Sequence, residues 1–508
     1  MATKGKLSGI LDRVERIGNR LPDPITLFLI LCGLVVISSW ILASMGLSVV
    51  HPVSQETIAV DSLLSAKNIQ RMLHEMVSNF SAFPPLGLVL VTMIGIGVAE
   101  RSGLVAAGLT KLVMAVPQSL LTATLVFAGI SANVAADAGY VVLTPLGAML
   151  FAAVGRHPLA GLAAVFAGVS GGFSANLIVT SLDPLLGGIS TTAAQIIDPS
   201  YVVDVTANFY FNFVSTFLLV IVGTFVTHRI VEPRLGTWSA GEDVDTELKA
   251  LTKDEQKGLM AACLTLLGFT ALVLLGFVSD DGVFRDPKTG MKPFMDALVP
   301  LLMLGFLLAG VAYGVVAKTI KSDKDVSAMT ADSMASMGGY IVLAFVAAQF
   351  IAYFSWSNIG MVTAISGAAA LKAIGFTGLP LILAFIAVSA GLNLLIGSAS
   401  AKWAIMGPVF VPMLMLLGYS PELAQAAYRI GDSTTNIITP LMPYFPVIIA
   451  FAKKYDKSIG LGTLIATMLP YSVGFFLMWA VMLLVWMVFG IPLGPDAPLL
   501  IEPPSASQ

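Results

Sequence analysis

Long apolar runs alternate with short polar segments along most of the chain. About 20 apolar residues span the hydrocarbon core of a bilayer as a helix. The runs that predict spanning helices are 24–47, 84–99, 158–185, 207–231, 258–278, 295–318, 338–355, 421–451 and 461–490. Most consist of uninterrupted Leu, Val, Ile, Phe and Ala, which cover the backbone hydrogen bonds with apolar surface. The pattern therefore predicts an all-α polytopic membrane protein with nine transmembrane helices.

Four further apolar segments do not fit simple spans. The segments 103–117 and 360–376 are short and contain one lysine each, which predicts amphipathic helices near the membrane interface. The segments 119–154 and 379–418 are long and broken in the middle. Each of these two is either a pair of full spans or a re-entrant hairpin, and both readings leave the net topology unchanged.

Composition excludes several classes of protein. The chain has 508 residues, of which 57% are apolar and 11% are charged, whereas soluble domains have about 45–50% and 25%. This excludes an ordinary soluble enzyme, a disordered chain and a nucleic-acid-binding protein. The two cysteines, Cys32 and Cys263, lie in apolar runs and imply no disulfide framework.

Loop charges predict the orientation of the chain. Five basic residues precede the first span, and further Lys and Arg follow the fourth and sixth spans and precede the ninth. Nine alternating spans place all of these stretches on one side, which the positive-inside rule makes cytoplasmic. The segment 279–294 agrees less well, because its three basic residues fall outside with three acids. We expect a cytoplasmic N-terminus and a periplasmic C-terminus.

The two halves of the chain resemble each other. The breaks in 144–168 recur in 407–431 in the same order. At an offset of 263 positions the matched pairs are Pro145 and Pro408, Gly155 and Gly418, Pro158 and Pro421, and Gly168 and Gly431; at an offset of 260 they are Asn133 and Asn393, and Asn176 and Asn436. Chance is the alternative, since Gly, Pro and Asn break any membrane helix. Because matched spans run in opposite directions, the pattern favours an inverted-topology repeat, the architecture of many secondary transporters.

Polar interruptions mark the candidate site. They occupy 131–139, 170–184, 393–403 and 431–440, two in each repeat, and each contains small residues, hydroxyls and an Asn. Exposed backbone is costly in lipid, so such breaks are expected to line a cavity. Their oxygens suit Na⁺, and helix N-termini would face an anionic group of a substrate. The alternative is that small residues only allow close helix packing.

Charged residues at membrane depth cost roughly 2.5–3.5 kcal/mol each on insertion scales. The acids and the arginine predicted at this depth are Asp137, Asp183, Arg429 and Asp432. Arg429 and Asp432 share a helix face, so they either form a structural ion pair or act separately, Asp432 on a cation or proton and Arg429 on a substrate. Asp183 is alternatively a helix cap. Lys402 either attracts a carboxylate or extends towards water, and we favour the second reading.

Signatures of other mechanisms are missing from the sequence. It contains no phosphate-binding G-x-x-x-x-G-K-[ST] motif, which disfavours a nucleotide-driven pump. Neither H-E-x-x-H nor G-x-S-x-G occurs, which disfavours a hydrolase. The four histidines lie in predicted loops or at span ends without the spacing of metal ligands. A channel remains an alternative, although it needs no inverted repeat.

Five segments carry a family resemblance. They are NRLPDPITLF (19–28), NFSAFPPLG (79–87), GRHPLAGLAAVFAGVSGGFSAN (155–176), IGSASAKWAIMGPVFVPML (396–414) and YRIGDSTTNIITP (428–440). Over nearly its full length the chain resembles the AbgT family of p-aminobenzoyl-glutamate transporters. The resemblance implies a homodimer in the bacterial inner membrane, with nine spans and two re-entrant hairpins per protomer. It makes 119–154 and 379–418 the hairpins and implies elevator-type transport.

The same resemblance implies a division of the chain. It comprises a cytoplasmic N-terminus (1–23), scaffold helices (24–99), a first transport-domain repeat (100–185), further scaffold helices (207–355), a second transport-domain repeat (356–451), a last helix (461–490) and a periplasmic tail (491–508). The hairpin tips would meet the broken spans inside the transport domain, and that domain would slide against the scaffold.

The matched motifs also imply site residues. The positions expected to act on a substrate are Asp183, Ser400, Trp403, Pro421, Arg429, Asp432 and Pro440, and we add Asn176 and Asn436 from the polar breaks. Asn393 and Asp432 are the expected Na⁺ ligands, with Asn133 as a further candidate. No other cofactor and no nucleic-acid partner are expected. Our hypothesis is a Na⁺- or H⁺-coupled exporter of sulfonamides that share the p-aminobenzoyl shape, and the alternative is a p-aminobenzoyl-glutamate importer.

Overall fold

The computed structural model describes residues 24–50, 56–135, 139–238, 251–278, 282–286, 292–439, 441–442 and 444–502. The predicted cytoplasmic segment 1–23 and the end of the predicted tail lie outside these ranges. In the described part, the strands are confined to one short antiparallel hairpin, β1 (Ser48–Val50) and β2 (Thr57–Ala59). The prediction of an essentially all-α chain is therefore confirmed.

The described residues contain 22 α-helices. In chain order they are α1 (Pro24–Ser44), α2 (Ala66–His74), α3 (Met76–Ser81), α4 (Pro84–Arg101), α5 (Leu104–Met114), α6 (Leu121–Ser131), α7 (Thr144–Ala153), α8 (Pro158–Phe166), α9 (Leu182–Ala194), α10 (Phe209–Val226), α11 (Glu232–Leu235), α12 (Lys253–Leu275), α13 (Lys292–Asp296), α14 (Leu298–Val316), α15 (Asp323–Ser336), α16 (Gly338–Trp356), α17 (Ile359–Ala373), α18 (Leu379–Asn393), α19 (Ala399–Leu416), α20 (Pro421–Asn436), α21 (Phe445–Lys453) and α22 (Leu461–Phe489). Short 3₁₀ turns lie at Gln118–Leu120 and Ala132–Ala135, and π turns lie at Gly139–Leu143, Ala167–Gly171 and Thr227–Val231.

Seven helical stretches in the described part are long and apolar enough to cross a membrane. They are α1, α10 continued through α11, α12, α14, α16, α19 and α22. An eighth arises if α4 and α5 count as one span, although they are bent by 60° at their junction. Gly103 supplies this bend with a φ of +92°, in the left-handed region that favours glycine. The coarse prediction of a multi-pass helical protein is confirmed.

The two spans predicted to contain breaks are broken. In 158–185, α8 opens with Pro158, passes into a π turn and ends, and α9 then begins at Leu182. In 421–451, α20 ends at Asn436 and α21 begins at Phe445. Proline suits the first helical position because its missing N–H would have had no partner there. Each break exposes helix ends inside the protein rather than at its surface.

The segments predicted as hairpins each contain two helices around a break. In the first, α6 and α7 flank the 3₁₀ and π turns between Ala132 and Leu143, and residues 136–138 lie outside the described ranges. In the second, α18 and α19 flank residues 394–398. Asn133 and Asn393 therefore lie where the first helix of each segment ends.

The repeat predicted from the sequence is visible in helix packing. A Cβ on Gly431 of α20 would lie 2.5 Å from the carbonyl oxygen of Ile386 on α18. In the first half, a Cβ on Gly168 would collide with the carbonyl oxygen of Val126 on α6. Gly168 and Gly431 are one of the pairs matched in the sequence. Both halves therefore use a glycine to bring a central helix against the first helix of the preceding segment.

The core is centred on α8 and α20, in which every residue is buried. The α8 sequence is apolar, whereas α20 carries polar and charged side chains at most of its inner positions. At the other extreme, α12 exposes large side chains such as Leu264, Leu267 and Leu275 along most of its length. A buried polar helix needs partners for its side chains, so α20 indicates the functional site.

Candidate functional site

An ion pair joins the two halves of the chain at α20. The Arg429 guanidinium lies 2.5 Å from Asp183 Oδ1, and the two side chains are 2% and 9% exposed. The other oxygen of Asp183 accepts hydrogen bonds from the Thr180 backbone N–H at 2.6 Å and from its hydroxyl at 3.0 Å. Asp183 therefore closes the turn before α9 and also holds a charge from the second half; its pairing with Arg429 was not among the roles predicted for it.

A second buried ion pair lies farther along α20. Lys402 Nζ on α19 is 2.5 Å from Asp432 Oδ1 and also donates to Asn393 Oδ1. Lys402 is only 1% exposed. The prediction that its side chain extends towards water is therefore wrong, because residues 401–404 of α19 are buried and the Lys402 side chain faces Asp432 on α20. Arg429 and Asp432 do not pair with each other, since each is held by a charge from another helix.

Asn393 connects this second ion pair to the end of α20. Its amide nitrogen lies 2.6 Å from the Asp432 carbonyl oxygen and 2.9 Å from both Thr435 Oγ1 and Asn436 Oδ1. The predicted residues Asn393, Asp432 and Asn436 are thus in one hydrogen-bonded cluster. Thr435, which lies in the predicted polar break 431–440 but was not singled out there, belongs to it as well.

The first half contains a related but incomplete arrangement. The amide of Asn133 donates to the carbonyls of Ile130 at 3.1 Å and Gly172 at 3.5 Å. Within the described ranges, Asn133 Oδ1 and Asn176 Oδ1 are buried and have no hydrogen-bond partner. The two residues occupy positions equivalent to Asn393 and Asn436, and their oxygens are free to accept a ligand.

Trp403 is fully buried beside the charged residues. Its indole ring stacks on Tyr428 with the ring centroids 4.5 Å apart, and its Nε1 donates to Ser190 Oγ at 2.9 Å. Ser190 in turn donates to Gln425 Oε1 at 2.6 Å. Gln425 lies one helical turn before Arg429 on α20. Ser190 and Gln425 were not among the predicted site residues, although a glutamine inside a predicted span was a usable signal.

The remaining predicted positions lie around this cluster. Ser400 is in the first turn of α19, two residues before Lys402, with its hydroxyl 3.3 Å from that of Ser398. Pro421 opens α20, whose N-cap Ser420 accepts a hydrogen bond from the Leu423 N–H. Pro440 and the candidate acid Asp137 lie outside the described residues.

A cavity of about 390 Å³ lies between α3, α4, α9 and α16. Polar side chains line much of it: Ser78, Asn79, Thr192, Gln195 and Ser355. Phe83 and Trp356 add aromatic surface. None of the predicted site residues lines this cavity, but its α9 wall continues to Ser190 and the Trp403 network.

The cluster offers oxygen ligands of the kind that the expected cation prefers. Among the described residues, no group of three His, Cys, Asp or Glu side chains is placed to hold a metal ion. The hard oxygens of Asn393 and Asp432 suit Na⁺. Both residues are in contact with the Lys402 ammonium, which carries the charge that such oxygens attract.

Comparison with known proteins assigns the chain to a family. Residues 9–501 match the model of the AbgT putative transporter family. The chain belongs to the AbgT family. The resemblance noted in the sequence is thereby confirmed, and the AbgT assignment covers both halves of the repeat.

Similar AbgT proteins are transporters. The p-aminobenzoyl-glutamate transport protein of Escherichia coli (strain K12) is 39% identical over 494 residues, covering 97% of this chain and 96% of that protein. The YdaH transporter of Alcanivorax borkumensis is 45% identical with a TM-score of 0.89, covering 93% of this chain and all of that one. MtrF of Neisseria gonorrhoeae, described within a class of antimetabolite efflux pumps, is 47% identical with a TM-score of 0.90, covering 96% and 100%. This AbgT protein is a multi-pass membrane transporter and not an enzyme.

Proposed function

We propose that the protein is an ion-coupled secondary transporter that exports sulfonamide antimetabolites and related p-aminobenzoyl compounds. The observation that carries the proposal is the pair of buried ion pairs, Arg429–Asp183 and Lys402–Asp432, at helix breaks. Buried charges at membrane depth are expensive and mark transport pathways. The similarity to MtrF supports the antimetabolites as substrates, and the similarity to the Escherichia coli protein supports the p-aminobenzoyl group.

The proposed substrate contacts follow from chemistry. An aromatic amine suits the indole of Trp403, and a carboxylate suits Arg429. Arg429 Nε is a buried donor with no partner in the described part of the chain, so the guanidinium keeps a free N–H while it holds Asp183. We assign polar contacts to Ser400, Asn176 and Asn436, whereas Pro421 and Pro440 would shape the helix breaks.

The proposed coupling ion is Na⁺ or a proton. Asp432 and Asn393 are the residues proposed to respond to it, and Asn133 occupies the equivalent position in the first half. Asp432 lies three residues from Arg429 on α20. A change in the cation bound to Asp432 would therefore shift α20 and, with it, the proposed substrate contact at Arg429.

The proposed movement is of the elevator type. The two repeats, 100–185 and 356–451, would form the moving unit, and the remaining spans would form the scaffold of a homodimer with nine spans and two re-entrant hairpins per protomer. The cavity between α9 and the proposed scaffold helices α4 and α16 supports a boundary at this place. Two groups of helices can slide past each other only where they are not tightly packed. The polar cavity is such a place.

Import of p-aminobenzoyl-glutamate is the second candidate function. The same arginine and tryptophan would bind the same p-aminobenzoyl group, and the Escherichia coli relative is named for that compound. Export by antiport and import by symport can both use an inward ion gradient, so flux must be measured with each gradient imposed in both directions.

Flux into proteoliposomes tests the proposal. Radiolabelled sulfonamide and p-aminobenzoyl-glutamate are supplied outside, while Na⁺ and proton gradients are imposed separately and in each direction. Accumulation that follows one gradient and is absent from protein-free liposomes is the expected result. Equilibration regardless of both gradients would indicate a channel. An absence of flux for both compounds would contradict the substrate assignment.

A further inference from the structure

The Lys402 ammonium occupies a place built for a cation. It contacts Asp432 Oδ1 at 2.5 Å and donates to Asn393 Oδ1, and both its partners are buried. Asn393 is the last residue of α18, where the helix dipole presents its negative end. A carboxylate, an amide oxygen and a helix C-terminus together favour positive charge. The ammonium reaches them from α19 across the break that follows α18.

The first half has the same asparagine-to-carbonyl contact but neither the lysine nor the carboxylate, because Gly172 lies where the second half has Asp432. Asn133 donates to the carbonyl of Gly172, and Asn393 donates to the carbonyl of Asp432; in both cases the partner lies 39 residues later. Asn393 Oδ1 accepts from Lys402, whereas Asn133 Oδ1 has no partner among the residues described. The two halves therefore share the asparagine amide, Asn133 in one and Asn393 in the other. Within the described ranges, only the second half adds a cation, the Lys402 ammonium.

Removal of the ammonium would leave a strong demand for positive charge. Asp432 is 1% exposed, and an unpaired carboxylate at this depth is costly. A free monovalent cation would satisfy the same oxygens, because hard oxygen ligands at helix breaks suit Na⁺. The ammonium and a free Na⁺ would exclude each other, since both need Asp432 Oδ1 and Asn393 Oδ1.

We propose that Lys402 is a tethered cation that fills the Asp432–Asn393 site, so that free Na⁺ binds there only when the ammonium moves out. This inference rests on the cation coupling proposed above and refines it. It makes the coupling step the replacement of the Lys402 ammonium by Na⁺ beside Asp432.

Na⁺ binding by purified protein tests the inference without any transported substrate. Binding of ²²Na⁺ and thermal unfolding in NaCl and in choline chloride of equal ionic strength are compared for the wild type and Lys402→Met. An ammonium that fills the site for nine-tenths of the time lowers the apparent Na⁺ affinity about tenfold. We therefore expect the Na⁺ affinity of Lys402→Met to be at least roughly ten times that of the wild type.

Two further variants control the measurement. Lys372→Met removes a lysine of α17 whose Nζ lies 3.4 Å from the Leu416 carbonyl, away from the cluster, and should leave the Na⁺ response unchanged. The double variant Lys402→Met/Asp432→Asn removes the carboxylate as well and should lose the Na⁺ binding gained. Equal Na⁺ affinity in the wild type and in Lys402→Met would overturn the inference.

The folding of the variants is itself informative. If Lys402→Met is folded only in Na⁺, the free ion has replaced the ammonium, as expected. If Lys402→Met is unfolded with and without Na⁺ while the double variant is stable, Na⁺ cannot replace the ammonium beside Asp432. The inference then fails. If neither variant folds, the wild type decides: Na⁺ can bind only when the ammonium leaves, so labelling of Lys402 by an amine-reactive reagent should increase in saturating NaCl. Labelling that NaCl leaves unchanged relative to choline chloride would overturn the inference. None of these results depends on whether p-aminobenzoyl compounds are the substrates.

Discussion

At the scale of single residues, the site is held by charges that come from different helices. Arg429 on α20 is paired with Asp183 on α9, and Asp432 on α20 is paired with Lys402 on α19. The removal of one partner from a buried pair costs about 3–5 kcal/mol, because it leaves an uncompensated charge, whereas the removal of both can be nearly neutral. The two pairs therefore fix how α9, α19 and α20 fit together.

Neutralisation of Asp183 separates this structural role from the role in transport. Asp183→Asn should destabilise the protein by about 3–5 kcal/mol, because Arg429 is left unpaired and buried. The double variant Asp183→Asn/Arg429→Gln should recover most of that stability. We expect no substrate flux in either variant, since the free guanidinium N–H is disturbed in one and lost in the other. Chemical unfolding in detergent and proteoliposome flux measure the two effects.

A surface pair provides the control for this prediction. Arg156 and Glu232 lie 2.6 Å apart, with side chains 23% and 25% exposed. Because water screens this pair, Arg156→Gln should cost less than Asp183→Asn. Normal flux by the double variant Asp183→Asn/Arg429→Gln would show that this buried pair is structural only and would remove Arg429 from the proposed substrate site.

The sequence identified most of these residues but not their partners. Asp183, Arg429, Asp432 and Asn393 stood out because polar groups in apolar runs are costly. Helical spacing suggested an Arg429–Asp432 pair, but α9 and α19 bring other charges closer to each residue. Lys402 was misread because a lysine stem normally allows the ammonium to reach water. Only tertiary packing shows that its side chain lies in the buried part of α19 and faces α20.

At the scale of helices, glycines set the distance between the elements that carry the site. Gly431 lets α20 contact α18, and Gly168 plays the same part in the first half. Asn393 at the end of α18 reaches Asp432 only because the two helices are this close. Close packing through small residues, which was the structural alternative for the polar breaks, is therefore present together with the charged cluster.

Gly431→Ala should damage both stability and the cluster. The new methyl group would lie 2.5 Å from the Ile386 carbonyl oxygen and 2.7 Å from the Ala390 nitrogen, so α18 and α20 must separate. Overpacking of this kind costs about 1–3 kcal/mol. Gly391→Ala is the matched control on α18, because nothing lies within 4 Å of its new methyl group. Thermal unfolding compares them, and equal midpoints would contradict the role given to Gly431.

Helix boundaries show where hydropathy fails as a guide. The uninterrupted spans were placed well: 24–47 corresponds to α1 and 461–490 to α22. The span predicted at 158–185 instead contains α8 and the start of α9, which runs on to Ala194. The end of α9 reads GGISTTAA, which is too polar to resemble a span, yet most of it is buried against other helices. Burial inside the protein replaces contact with lipid there, and a sequence pattern cannot show this.

At the scale of the whole molecule, the cavity lies at one place where the two proposed groups of helices meet, next to the direct packing of α9 on α4. Thr192 on α9 and Gln195, just after the end of α9, face Asn79 on α3 and Ala348 on α16 across a volume of about 390 Å³. The broken helices are too short to be recognised as spans by length and composition, although every residue of α8 and α20 is buried. The exposed apolar helices and the buried broken ones therefore differ in burial, which is the difference expected between the proposed scaffold and the proposed moving unit.

A crosslink across the cavity tests whether the two groups move against each other. Thr192→Cys and Ala348→Cys are introduced after Cys32 and Cys263 are replaced by alanine. A short, cleavable thiol crosslinker should then join α9 to α16 and stop substrate flux, because the proposed unit can no longer slide. Reductive cleavage of the reagent should restore the flux, and a gel shift after proteolysis between the two positions measures the crosslinking yield.

A crosslink within the proposed scaffold separates blocked movement from general damage. Cys32 Sγ on α1 lies 3.9 Å from the Val346 carbonyl oxygen on α16, so Val346→Cys places a second thiol on a helix that packs against α1. Since α1 and α16 belong to the same proposed unit, joining them should leave flux intact. Full flux with a complete Thr192–Ala348 crosslink would contradict movement at this boundary, because a tether across a sliding surface cannot be neutral. Loss of flux from both crosslinks would assign the effect to rigidity of α16 itself, and the boundary would then have to lie elsewhere.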